Sequence, residues 1–397
     1  MRSVLLVVIA LFSATVSAQV EVGEFGKGIN ITGKNESFSM NLGFRFQTLM
    51  TTDWTVNNDE LNQIDGFKPN LLIRRSRIKM KGHVYSPKLT YKVELALSDR
   101  DIAVSDSEPL LDTRIVLDAV FKWNFYKNFS LWGGQTKLPG NRERVISSAN
   151  MQLVDRSILN SRFNIDRDLG LQFRNHNTIG GVVVKEIFAI SKGEGRNMRS
   201  ANLGGLEYTG RVEILPFGNF SSKGDYVGSA IKRESKPKLA FGLTYDLNER
   251  AVRERGNMGS FIRDAQNNFH GKNVYTVFAD MMFKYQGWSV MAEYADRWTN
   301  GNNPLVYNGD IVIGKVFTGR SLNVQAGYMF KNNIEIAARY AGIDTPDVVN
   351  GDQQEYRLGF SKFFVGHKLK VQTDLGYLEK RSGDDGLSYR LQFEIHF

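Results

Sequence analysis

The sequence predicts an all-β fold, a 16-stranded antiparallel transmembrane β-barrel with an inward-folded third extracellular loop. Apolar and polar residues alternate along most of the 397 residues, which is typical of strands with one apolar and one polar face. The alternating segments are sixteen in number, and short and long links take turns between them. Antiparallel neighbours explain this order of links, because every second connection then lies on the same side.

The first residues indicate export from the cytoplasm. Arg2 precedes an apolar run over residues 4–12, and small residues follow as far as Ala18. This pattern is typical of a cleaved secretory signal peptide over residues 1–18. A short membrane anchor is the alternative, but the run is too short to span a bilayer comfortably.

The rest of the chain divides into two parts. We expect residues 19–36 to form an N-terminal periplasmic segment and residues 37–397 to form the barrel. The chain has no cysteine and a formal charge of +9. The lack of cysteine excludes disulfides and thiol chemistry, and the basic excess favours anionic partners.

The strand segments set the topology. We predict strands at residues 37–49, 70–84, 88–98, 113–124, 128–136, 167–175, 181–192, 204–215, 238–248, 273–285, 287–298, 314–330, 333–342, 353–363, 367–379 and 387–397. An even count places both termini on the periplasmic side, and closure pairs every backbone group where water is absent. In the last strand the odd-numbered residues, from Tyr389 to Phe397, should face lipid.

The third long link, residues 137–166, is the first candidate for a selectivity element. It holds many apolar residues, which favours folding inward against the barrel wall over full solvation. These are Val145, Ile146, Met151, Leu153, Val154, Ile158 and Leu159. Its predicted anion-binding cations are Lys137, Arg142, Arg144, Arg156 and Arg162. One other link, residues 216–237, is long although it falls on the side of the short turns.

The second predicted strand is the other candidate. Ile78, Met80 and Val84 mark its lipid face. The opposite face carries Arg75, Arg77, Lys79, Lys81 and His83. Cations toward lipid cost about 2–4 kcal/mol each near the midplane, whereas a row toward a channel attracts anions. Arg also suits phosphate through bidentate hydrogen bonds.

Ion pairing is the alternative interpretation of this basic row. The acids Glu94, Asp112 and Asp118 lie on or near neighbouring strands, so we expect partial pairing with the cations. The two interpretations are compatible, since a row of cations can be partly neutralised and still attract anions.

Other functions have weaker support. The five histidines form no recognisable catalytic motif, so an enzyme is not predicted. Acidic turns such as residues 382–386 could bind calcium but more often make turns. A saccharide channel would need an aromatic slide, and Trp132 alone is predicted to point inward.

Four stretches resemble the phosphate-selective porin O and P family, particularly its Bacteroidetes members. They are RRSRIKMKGHVYSPKLTYKVELAL, GGQTKLPGNRERVISSANMQLVDRSILNSRFNIDRDLGLQF, LPFGNFSSKGDYVGSA and LNVQAGYMF. The resemblance implies a sixteen-stranded, usually trimeric outer-membrane barrel whose inward third loop forms the constriction. It also implies anion binding at Arg75, Arg77, Lys79, Lys137, Arg142 and Arg144.

These observations together predict an outer-membrane diffusion channel. We expect it to be anion-selective with phosphate as substrate, and a general porin for small hydrophilic solutes is the alternative. We expect outer-membrane lipid and two further copies of the chain as partners, and neither a cofactor, a metal nor nucleic acid.

Overall fold

The computed structural model of the protein describes residues 19–56, 64–102, 114–349 and 351–397. They form a closed antiparallel barrel of sixteen strands, which confirms the predicted fold class. The strands are β1 (Phe38–Val56), β2 (Ile64–Val84), β3 (Ser86–Ala96), β4 (Val116–Tyr126), β5 (Phe129–Lys137), β6 (Arg167–Ile179), β7 (Val182–Ser191), β8 (Glu207–Leu215), β9 (Lys238–Ala251), β10 (Lys272–Tyr285), β11 (Trp288–Thr299), β12 (Gly319–Met329), β13 (Ile334–Asp344), β14 (Gln353–Phe363), β15 (Leu369–Lys380) and β16 (Asp385–His396). Pairing of β1 with β16 closes the sheet. The predicted signal peptide at residues 1–18 and the predicted lumenal acid Asp112 lie outside the described residues.

The two faces of each strand differ as predicted. In β9, Phe241, Leu243 and Tyr245 are exposed on the outside, whereas Thr244 and Asp246 are buried inside. The final strand behaves in the same way: outward residues Leu391, Phe393 and Phe397 are exposed and inward residues Gln392 and Glu394 are buried. The barrel therefore presents an apolar surface to lipid and a polar surface to its lumen.

Four short hairpin strands add to the barrel. Gln19–Val22 pairs with Ile29–Thr32, and the latter also pairs with the start of β1. Leu305–Asn308 pairs with Ile311–Lys315 in the link between β11 and β12. The sequence prediction missed all four and started the twelfth strand too early, at residue 314.

Helices in the described part of the chain are short. They are α1 (Asp99–Ile102), α2 (Arg142–Val145) and α3 (Ile158–Phe163), with 3-10 turns at Lys34–Glu36, Ser221–Tyr226, Asn300–Asn302 and Asp347–Val349. None of the helices among the described residues is both long and apolar enough to cross a membrane.

A β-bulge interrupts β2 at Arg74. Gln47 of β1 lies opposite Arg75, but the next residue, Thr48, lies opposite Ile73. Arg74 is therefore an extra residue in its strand, and such a residue shifts the alternation of faces by one position.

The link between β5 and β6, residues 138–166, folds into the barrel as predicted. We call it the inward loop. Its residues Leu138, Leu159 and Phe163 pack against Phe278 of β10 and Ile343 of β13. The loop therefore leaves the wall at β5 and crosses the lumen to pack against the opposite wall.

Residues 216–237, between β8 and β9, also enter the lumen, from the side of the short turns. We call them the second inward loop. Lys284 of β10 donates to the carbonyls of Val227 and Ser229, with Nζ–O distances of 2.7 and 2.8 Å. The backbone N–H of Gly228 donates to the carbonyl of Asn150 over 2.7 Å. The two loops therefore meet inside the barrel.

Glycine is required at this meeting point. A Cβ atom on residue 228 would lie 2.6 Å from the backbone nitrogen of Gln152 in the inward loop. The backbones approach each other too closely for any side chain.

Candidate functional site

The main lumenal cavity lies against one side of the barrel. Its volume is about 1540 Å³, and its wall residues come from β2 to β8 together with Arg390 of β16. The inward loops and the wall formed by β9 to β15 pack together, so they occupy the other side of the lumen. The passage is therefore off-centre.

Positive charge dominates the lining of this cavity. Twenty Lys and Arg residues contribute to the lining, against seven Asp and Glu residues. Nine of the cations lie more than 4.0 Å from any carboxylate among the described residues: Lys79, Arg100, Lys122, Lys137, Arg156, Arg174, Arg196, Lys223 and Arg255. This excess attracts anions into a lumen with low-dielectric walls.

The predicted row on β2 faces the lumen, but its members differ in pairing. Arg77 forms ion pairs with Glu94 at 3.2 Å and Asp101 at 2.8 Å. Arg75 is buried and donates to Gln47 Oε1 over 2.6 Å. Lys79 also lines the cavity, and no carboxylate among the described residues lies in ion-pair range of it.

Partial pairing of the β2 row with lumenal acids, the alternative interpretation, is confirmed for Glu94, which pairs with Arg77. Asp118 instead pairs with cations outside the row. Lys92 Nζ lies 2.7 Å from both Glu94 and Asp118. Arg167 adds a second cation to Asp118 at 3.2 Å.

Arg74 was missed by the sequence analysis. Strict alternation assigns this residue to the lipid face, but the bulge lets both Arg74 and Arg75 reach the lumen. Arg74 Nη2 lies 2.9 Å, and Arg75 Nη2 3.7 Å, from Asp155 Oδ1 of the inward loop. Two consecutive guanidinium groups therefore hold the loop against β2.

The predicted cations of the inward loop occupy different environments. Arg142 has no exposed surface and forms ion pairs with Asp280 at 2.7 Å and Glu213 at 3.6 Å. Arg142 and Arg162 are not among the residues that line the main cavity. The structure therefore places Arg142 where it anchors the loop to the far wall.

Three other predicted cations do line the cavity. Lys137 Nζ donates to the carbonyls of Arg144, Val145 and Ile146 at 2.6–3.2 Å. Arg156 donates to the carbonyls of Glu143 and Ile146, each over 2.9 Å. Arg144 forms an ion pair with Asp166. Lys137 and Arg156 thus stabilise the loop through neutral groups, and no carboxylate among the described residues lies in ion-pair range of either.

A second cavity of about 670 Å³ lies between the N-terminal hairpin and the parts of β1 to β4 that are nearest to this hairpin. Lys81 lines this cavity and not the main one. Lys79, Lys92 and Lys122 line both cavities. These three residues, which we call the junction lysines, mark the place where the two spaces meet. Lys92 and Lys122 were not predicted from the sequence, although both alternate with apolar residues of their strands.

Two carboxylates of the inward loop face several cations. Burial alone would raise the pKa of Asp155, but Arg74, Arg75 and Arg390 outweigh it and hold that pKa well below its usual range. Burial opposes ionisation of Asp166 in the same way, and Arg144 and Arg167 likewise hold its pKa low. Both residues are therefore ionised near neutral pH.

These lowered pKa values predict how the pore responds to acid. The ionised carboxylates of Asp155 and Asp166 stabilise the folded protein in full while the pH is above about 3.9, the pKa of Asp in an unfolded chain. This stabilisation is lost as the pH falls from there toward their lower pKa in the folded protein. We expect protonation of these two carboxylates to change the single-channel conductance below about pH 4. Conductance measured in planar bilayers between about pH 5 and about pH 3 checks the prediction, and an unchanged conductance over this range would contradict it.

The described residues offer no metal centre. They contain no group of three or more His, Cys, Asp or Glu residues that could hold a metal ion.

The predicted inward position of Trp132 is confirmed, because Trp132 lines the main cavity.

Comparison with known proteins decides the family. The model of the phosphate-selective porin O and P family matches residues 41–388. The chain belongs to this family. No curated protein matches the chain.

Solved structures support the fold of the porin. The outer membrane channel DcaP of Acinetobacter baumannii shares 13% identity over 92% of this chain and 99% of its own, with a TM-score of 0.54. The anion-selective porin from Comamonas acidovorans shares 11% identity over 91% and 100% of the two chains, with a TM-score of 0.55. OmpT of Vibrio cholerae shares 12% identity over 92% and 99%, with a TM-score of 0.54.

The porin is thus an outer-membrane channel. Family and fold indicate a channel rather than an enzyme.

Proposed function

We propose that the porin is an anion-selective diffusion channel with phosphate as its preferred substrate. The main observation behind this proposal is the lining of the main cavity, in which twenty Lys and Arg residues outnumber seven Asp and Glu residues. An anion entering such a lumen is attracted at every level, whereas a cation is repelled. Arg and Lys donors suit phosphate oxygens, and Arg adds bidentate geometry.

The junction lysines support the same conclusion. Because they border both cavities, a solute that moves between the two spaces passes close to them. Lys79 and Lys122 carry charges that no carboxylate among the described residues neutralises within 4.0 Å. The proposed path runs from the main cavity past these lysines into the second cavity.

A general porin for small hydrophilic solutes is the alternative function. A saccharide channel has less support, because Lys122 and Arg174 contact the ring of Trp132 at 3.7 and 3.9 Å from its centroid. Both cations therefore compete with a sugar for contact with this ring.

The reversal potential of the purified porin in a planar bilayer under a KCl gradient tests the proposal. We expect a potential of the sign given by chloride permeation, and stronger inhibition of the chloride current by phosphate than by sulfate. Cation preference or no preference would refute anion selectivity. Equal inhibition by the two oxyanions would refute phosphate preference alone.

The proposal also includes export by cleavage after Ala18 and assembly as a homotrimer. One of the similar structures is a trimer form of OmpT of Vibrio cholerae, with 13% identity and a TM-score of 0.50. The intact mass and the native mass of the detergent-extracted protein would check both points.

A further inference from the structure

Trp132 occupies an unusual place for a tryptophan of this barrel. Trp123 and Trp288 lie on the outside, 48% and 51% exposed, where aromatic residues meet the membrane interface. Trp132 instead points into the main cavity from β5. An aromatic ring in a polar lumen therefore needs its own explanation.

Two cations contact this ring. The Nζ atom of Lys122 lies 3.7 Å, and the Cζ atom of Arg174 3.9 Å, from the ring centroid. Lys122 belongs to β4 and Arg174 to β6, the two strands that pair with β5. The indole ring thus receives one cation from each neighbouring strand.

Neither cation is neutralised by its contacts. Lys122 and Arg174 form no ion pair within 4.0 Å among the described residues, and Arg174 donates to the neutral Oε1 of Gln172 at 2.8 and 3.1 Å. Lys92, in contrast, is paired with two carboxylates. An aromatic face attracts a cation through its quadrupole but carries no net charge. It can therefore fix a cation in place and leave its field intact.

We propose that Trp132 is a positioning residue that sets anion selectivity by holding the Lys122 and Arg174 charges in the passage without cancelling them. The inference depends on the proposed function, because it presumes that the pore prefers anions. Without the ring, both long side chains regain rotamer freedom, and their charges no longer stay at the wall of the main cavity. The substrate class is a small inorganic or organic anion that needs no aromatic stacking.

Replacement of Trp132 tests this role. We expect Trp132→Leu and Trp132→Gln each to lower the anion-over-cation permeability ratio about threefold, as expected for loss of cation–π contacts. Trp132→Phe retains an aromatic face and should keep most of the ratio. The ratio is obtained from the reversal potential under a KCl gradient, together with single-channel conductance.

The same replacement in a protein that lacks both cations distinguishes a positioning role of Trp132 from a space-filling role. In a Lys122→Gln, Arg174→Gln protein, the further change Trp132→Leu should leave the ratio unchanged, because no cations remain for the ring to hold. An equal fall in that background would overturn the inference. So would a Trp132→Leu protein with higher conductance and an unaltered ratio, the result expected for a ring that only narrows the pore. If the wild-type ratio itself shows no anion preference, the proposed function fails first.

Discussion

Replacing both Lys79 and Lys122 with glutamine is expected to lower the anion-over-cation permeability ratio of the porin roughly five- to tenfold. A unit charge about 7 Å from a permeating ion contributes about 0.6 kcal/mol in a water-like dielectric. Its sign is opposite for the two ions, so each lysine changes their difference by about 1.2 kcal/mol before screening. Salt at about 0.1 M roughly halves this value at such a distance.

The reversal potential under a salt gradient measures this ratio directly. A matched control removes the same two charges at exposed positions, by Lys88→Gln at the start of β3 and Lys331→Gln in the turn after β12. Neither residue lines the cavities. We expect the control to behave like wild type. An unchanged ratio in the Lys79 and Lys122 variant would show that the junction lysines do not govern selectivity.

Replacing Arg142 with methionine is expected to destabilise the barrel and open the pore. Arg142 is fully buried, and its removal leaves Asp280 with Arg211, at 2.6 Å, as its remaining ion-pair partner. Breaking a buried pair costs about 3–5 kcal/mol, and the remaining Arg211 contact places the effect near the lower end. The carbonyl of Asp225 in the second inward loop also loses its 3.0 Å hydrogen bond.

The inward loop should then detach from the far wall. We expect higher single-channel conductance, weaker ion selectivity and a lower temperature of unfolding on heated gels. Arg162→Met, on the same loop but outside any ion pair among the described residues, is the matched control and should change none of these three properties. Wild-type conductance in the Arg142 variant would show that the apolar contacts alone dock the loop.

Much of the barrel could be predicted from the sequence because the alternation of apolar and polar residues is a local property of each strand. Ten alternating residues are enough to locate β9 or β16, and the even number of such segments predicts a closed barrel. The apolar residues of the inward loop, such as Met151 and Leu153, likewise predicted its burial. No knowledge of distant partners is needed for these inferences.

Contacts between distant segments could not be predicted in this way. The partner of Arg142 is Asp280, 138 residues later in the chain, and spacing alone does not reveal such a pair. The bulge at Arg74 depends on how β1 and β2 pair, and a single strand holds no clear signal of it. The length of residues 216–237 was noticed, but not that these residues enter the lumen.

The off-centre passage divides the circumference of the barrel into two halves under different constraints. The inward positions of β2 to β8 that line the main cavity meet the solute, so a substitution there changes what the cell takes up while the protein remains folded. Inward positions of β9 to β15, like Val183 and Ala189 of β7 and Leu215 of β8, pack with the inward loops, so a substitution there changes how much intact protein reaches the membrane. A scan of inward positions should therefore yield transport phenotypes along one arc of the wall and abundance phenotypes along the other.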